Sequence, residues 1–122
     1  MSNSDSQTAA RVLDEVDACT AEILADVEAA VRIPSVSGTD AENEAQAHMA
    51  GVFAAGGLDV DHWRIDLDRL TADADFPGME VARREAWGLV GRLPGAGDGA
   101  SLMLNGHIDV VPIGDPDAWT TD

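Results

Sequence analysis

His107 and Asp109 stand one residue apart, just where the apolar run Leu102-Met103-Leu104 gives way to Asn105-Gly106 and shortly before Pro112. A neutral imidazole is a good zinc ligand. Its second ring nitrogen is usually held by a carboxylate or carbonyl, which sets the tautomer and raises the basicity of the ligating nitrogen. In an extended chain, residues i and i+2 project to the same side. His107 on a metal and Asp109 orienting it therefore need no other residue to meet, with Ile108 turned the opposite way into the core. Gly106 leaves room for a backbone or ligand to approach. On spacing alone, the same triplet also describes a surface histidine beside a solvated aspartate.

The elements that would carry this pair can be read from periodicity. From about Thr8 to Arg32 there is no Gly or Pro, and Val12, Val16, Cys19, Ile23, Val27 and Val31 recur at three- and four-residue spacing. That predicts one long amphipathic helix, with Asp14, Glu15, Asp17, Glu22, Asp26 and Glu28 on its wet side. Pro34 ends it. Thr39 and Glu42 have the form of a capping box. A second helix follows to about Ala55, burying Ala45, Met49, Val52 and Phe53, with Gly56-Gly57 as its stop. Residues 58–67 alternate as a half-exposed strand with an irregularity near Trp63, and 68–85 read as a long loop. Residues 86–94 and 101–105 read as two further strands joined in a hairpin through the Gly-rich turn at 95–99. The expected fold class is α/β: two helices, then about three strands in an incomplete sheet. His107 falls beyond the carboxyl end of the last strand, where such folds place ligand sites.

Seven arginines, no lysine and 23 acidic residues, 16 of them Asp, leave a net charge of −16 in 122 residues. That surface repels phosphate backbones and anionic lipid, so nucleic acid and membrane surfaces are poor partners. Concentrated salt would screen the self-repulsion, and abundant Asp with no Lys points to a salt-adapted, halophilic protein, although a GC-rich genome also depletes Lys. Cys19 is the only cysteine, which rules out an intramolecular disulfide and a Cys-based zinc cluster. With no signal-like start and no long apolar run, a cytoplasmic location is expected.

The stretch "LMLNGHIDVVP" followed by "DPDAWTTD", together with the upstream "IPSVSG" (33–38), resembles the M20 family of zinc-dependent metallopeptidases and deacylases. That family includes acetylornithine deacetylase and succinyl-diaminopimelate desuccinylase. The resemblance runs in order and spacing over about residues 10–122, and its H-x-D-x-V-P part is the more specific. It implies that His107 is the first metal ligand and Asp109 the catalytic aspartate that positions it. It implies two zinc ions, with cobalt an accepted substitute, and a small N-acyl amino acid or dipeptide as substrate. The full-length form could be a homodimer. Residues 1–122 would then be the N-terminal portion of the catalytic domain. The family's bridging aspartate, glutamate base, next carboxylate ligand and final histidine would lie further along. Since catalytic zinc takes about three protein ligands and a water, and that water needs a general base, the isolated chain is expected to be inactive. Its last strand is expected to leave an exposed edge, with low stability or association as the result.

Other chemistry-bearing residues have plainer readings. His48 is expected to be an exposed helix residue, His62 to pack at a strand edge beside Trp63, and Cys19 to be a small buried hydrophobe. Arg83 and Arg84, flanked by Glu80 and Glu85, suggest local ion pairs. Asp115 and Trp119 either line the mouth of the site or pack their own loop. Two other functions compete with amide hydrolysis. One is a non-catalytic acidic remnant or interaction module. The other is a metal-dependent phosphoesterase, disfavoured because Gly106 separates Asn105 from His107.

Overall fold

The computed structural model describes residues 3–120 and divides into two compact units, one up to Arg32 and one from Ile33. The first unit holds two helices, α1 (Asn3–Ala18) and α2 (Thr20–Val31), where the sequence predicts one. The interruption is slight. The Cys19 amide still donates to Glu15 O, and Ile23 N to Cys19 O, both at 3.0 Å. What intrudes is Thr20, whose hydroxyl donates to Val16 O at 3.1 Å, a back-bond that bends helices. Arg32 pairs with Glu28 at the exposed end, a contact of little energetic weight. The apolar stripe is present but solvent-facing: Val12 is 57% exposed, Ile23 45% and Val31 76%, and Cys19 is half-buried. The expected burial of this stripe is not realised, because among the described residues no element of its own unit covers it.

The second unit contains α3 (Asp40–Ala55), β1 (Asp59–Arg64), α4 (Leu67–Thr71), β2 (Trp87–Arg92) and a single 3-10 turn (Pro116–Ala118). Helix α3 ends where the Gly pair predicts. Leu58 N donates to Phe53 O and Gly57 N to Ala54 O, with Gly57 at φ +77°, so the last carbonyls are closed by a left-handed glycine. The chain reverses there and enters β1. Strands β1 and β2 are antiparallel, in a register that pairs Val60 with Gly91, His62 with Leu89 and Trp63 with Gly88, without the expected irregularity at Trp63. Helix α3 covers this ribbon. At Gly91 the fit is tight: a Cβ there would lie 2.6 Å from Phe53 Cδ2 and 2.7 Å from Leu58 Cδ2. Phe53 and Leu58 are also the two positions whose apolar contact accompanies this kind of helix stop. Among the described residues only Ala45, Ala86 and Ser35 are buried, so the core is thin.

The strand order differs from expectation in two ways. Strand β2 pairs with β1, not with residues 101–105, and 101–105 form no strand. Leu102, Met103 and Leu104 are 84–88% exposed. A run that is apolar at every position suits a strand covered on both faces, and nothing in this unit offers a second layer. Helix α4 begins at the end of the expected strand 58–67 and runs into the segment expected as one loop, and its N-cap Asp66 accepts from Arg69 N at 3.0 Å. Among the described residues, four helices and a two-stranded sheet thus replace two helices and three strands; the α/β class holds and the sheet is open. Among the described residues no helix is long and apolar enough to cross a membrane.

Candidate metal centre

The site is assembled within the second unit by the connector that precedes α3, not by a sheet. Two successive tight turns, Ser35 N to Ile33 O and Val36 N to Pro34 O, swing the chain out of the Pro34 corner. Residues 35–37 then lie parallel to 108–110, bridging at Val36 and Val110. Val110 N donates to Ser35 O at 2.9 Å and Ser37 N to Val110 O at 3.2 Å. The buried Ser35 hydroxyl donates to Ile108 O at 2.8 Å. Asp109 is gripped on both sides along the backbone, so its side chain has a fixed starting direction.

His107 and Asp109 do face the same side. The His107 ring places Nδ1 2.9 Å from Asp109 O and 3.1 Å from Asp109 Oδ1. A carbonyl and a carboxylate oxygen can only accept, so this network assigns the hydrogen to Nδ1 and leaves Nε2 with its lone pair in the neutral ring. The ring is 85% exposed and the Asp109 side chain 33%. The other carboxylate oxygen, Oδ2, accepts from the Ser37 hydroxyl at 2.5 Å. That hydroxyl bond holds the Asp109 carboxyl below its ordinary range, against the opposing effect of partial burial and with a smaller contribution from His107. The pair opens on a depression of about 360 Å³ lined by Ser37, Glu80, His107, Asp109, Val110 and Val111. Gly106 has open space on its Cβ side, consistent with the room expected there.

This arrangement can supply one oriented nitrogen donor. Among the described residues no group of three or more His, Cys, Asp or Glu is placed to hold a metal ion. The residues present therefore fit a metal as one ligand and its orienting carboxylate, not as a complete site. Ser37 and Glu80 also line this depression, beyond the pair the sequence singles out. The one available signal was Ser37's place in "IPSVSG", and no local signal marks Glu80.

The remaining candidates lie elsewhere. His48 is half-buried on α3 rather than exposed, because that face of the helix meets the sheet. His62 packs its ring 4.7 Å from that of Trp87, and the Nε2 atoms of both His48 and His62 are buried without a partner. Arg83 pairs not with its sequence neighbours but with Glu42, at 2.6 Å and largely out of solvent. Glu42 also accepts from Gly38 N at 2.7 Å, one residue short of the predicted capping box, while the Thr39 hydroxyl turns back to Val36 O. Glu85 is taken by Trp87 Nε1. A larger depression of about 560 Å³ lies beside Arg83 and Arg84 but offers no imidazole or thiol. Asp115 caps the 3-10 turn through Asp117 N, and Trp119 Nε1 donates to Ile113 O at 3.0 Å, so both pack their own loop.

Comparison with known proteins supports the family resemblance. The chain is 45% identical over 56 residues to succinyl-diaminopimelate desuccinylase 1 of Ruegeria sp. (strain TM1040), covering 46% of this chain and 15% of that protein. It is 40% identical over 65 residues to the succinyl-diaminopimelate desuccinylase of Ruegeria pomeroyi, covering 53% and 16%. The enzyme of that name from Methylobacterium sp. (strain 4-46) matches at 35% over 92 residues, covering 75% and 19%. The matched stretches thus span less than a fifth of these relatives. No family model and no solved structure matches. Partial matches at 35–45% identity to several succinyl-diaminopimelate desuccinylases support an M20 deacylase-like stretch in this chain.

Proposed function

We propose that the chain forms part of a metal-dependent amide hydrolase, to which it contributes His107 as a metal ligand and Asp109 as the carboxylate that orients it. The observation that carries this reading is the engagement of His107 Nδ1 by Asp109, which leaves Nε2 unprotonated and open to solvent. Zinc, in a two-ion site that would also accept cobalt, is the metal whose chemistry suits an imidazole and carboxylate donor set. When bound, it would polarise an amide carbonyl and lower the pKa of its water to about 7. The work of this chain's residues is narrower: Asp109 keeps the hydrogen on Nδ1, and His107 Nε2 donates its lone pair. The substrate class is a small N-acylated amino acid or dipeptide, with a succinylated amino acid favoured by the activity for which the relatives are named. A cytoplasmic location and a homodimer of the longer protein belong to the same reading.

The further ligands and the general base come, in this proposal, from residues the chain does not contain, so the 122 residues alone lack hydrolase activity. Calorimetric titration with zinc tests the assignment. Weak binding that disappears in His107→Ala and falls in Asp109→Ala is the expected result. Binding unchanged in His107→Ala would overturn it, and tight stoichiometric binding by the unaltered chain would contradict the incompleteness of the site.

A further inference from the structure

We propose that Ser37 is a positioning residue for His107, acting through Asp109 to set the ring's tautomer; this rests on the reading of His107 as a metal ligand. The Asp109 carboxylate has two oxygens with separate duties. Oδ1 accepts from His107 Nδ1 at 3.1 Å and Oδ2 accepts from the Ser37 hydroxyl at 2.5 Å. The hydroxyl's other acceptor, Val110 O at 3.5 Å, is at the limit of a hydrogen bond, so its hydrogen goes to the carboxylate. A carboxylate tethered at one oxygen cannot turn about its Cβ–Cγ bond without breaking a short charge-assisted bond, and this fixes where Oδ1 points.

Backbone pairing separates this role from mere support. Ser37 N to Val110 O and Val110 N to Ser35 O hold the connector against 108–110 whatever side chain stands at 37. Ser35 is the structural counterpart: its hydroxyl supports the same pairing by donating to Ile108 O rather than to the Asp109 carboxylate. The connector thereby carries one serine that secures the backbone and a second, two residues on, that aims the carboxylate. Outer-shell partners of this kind orient ligating histidines and raise their basicity.

The test is the ring tautomer of His107, read from nitrogen chemical shifts in the histidine-labelled 122-residue chain at a pH where the imidazole is neutral. The unaltered chain is expected to hold the Nδ1–H form. Ser37→Ala is expected to lose that dominance, with population moving to Nε2–H, while Ser37→Thr keeps it and Ser35→Ala leaves it in place. The Val110 amide signal reports whether pairing persists in each variant. Should Ser37→Ala fail to fold, Ser37→Cys, close in size and with a weak donor, is expected to give a smaller shift in the same direction. An Nδ1–H ring in the unaltered chain that persists in Ser37→Ala, or in Ser37→Cys where that variant stands in, would overturn the role of Ser37 and leave the metal reading standing. An Nε2–H ring in the unaltered chain would overturn both. An equal shift in Ser35→Ala would assign the effect to general loosening and overturn the positioning role.

Discussion

The hydroxyl of Ser37 donates to Asp109 Oδ2 across 2.5 Å of space and 72 residues of sequence. Next to it, the hydroxyl of Ser35 donates to the backbone of Ile108. A short connector and the His-x-Asp segment are therefore one structural unit. Its integrity, rather than that of the two-stranded sheet, decides where His107 points.

Ser35→Ala should destabilise the second unit. The serine is buried and its removal leaves the Ile108 carbonyl without that donor, a change that costs about 1–3 kcal/mol. Urea unfolding measures it; an unchanged midpoint would mean the hydroxyl bond contributes nothing.

Asp109 should make the chain acid-sensitive in a defined direction. Its carboxyl lies below the ordinary range when folded, chiefly because of Ser37, so ionisation favours the folded state. That contribution is fully present above the unfolded aspartate value of about 4 and is lost as pH falls through the lower folded value. Asp109→Asn should flatten the low-pH arm of a stability profile and leave the alkaline arm alone.

Glu42→Ala should cost more than Arg83→Ala. Removing Glu42 strands both the part-buried Arg83 guanidinium and the Gly38 amide, whereas removing Arg83 leaves Glu42 with one of its two partners. Losses of about 1–3 kcal/mol are expected for the first and less for the second. Thermal melts of the two variants settle the order, and a reversed order would show that the Gly38 bond is immaterial.

Gly91→Ala should destabilise by about 1–3 kcal/mol, since its methyl would drive into Phe53 and Leu58, while Gly97→Ala, with open space around it, should be near neutral. Equal melting temperatures for the two would mean that α3 does not press on β2 at this point.

With a net charge of −16, the chain should gain stability in molar salt, as screening relieves self-repulsion and the exposed Leu102–Leu104 run favours burial. Identical melts with and without salt would remove the salt-adapted reading.

What the sequence made legible is what local chemistry controls. The Gly56-Gly57 stop and strand 87–92 follow from turn residues and short-range pattern. The meeting of His107 with Asp109 follows from the two-residue repeat of extended chain. What it concealed depends on distant partners. Glu42 looks like half of a capping box until Arg83, 41 residues away, claims it. Leu102–Leu104 read as a strand because the residue types suit one, but a strand exists only where another lies beside it. The place of Ser37 in "IPSVSG" marks the connector but not its acceptor, which only the fold of the second unit brings within reach.

The most direct test of the central claim is a paramagnetic cobalt titration of the histidine-labelled chain, which holds just three imidazoles. The expected result is broadening that begins at His107, through Nε2, while His48 and His62, whose Nε2 atoms are buried, stay sharp. Broadening that spares His107, or that falls equally on all three rings, would contradict it.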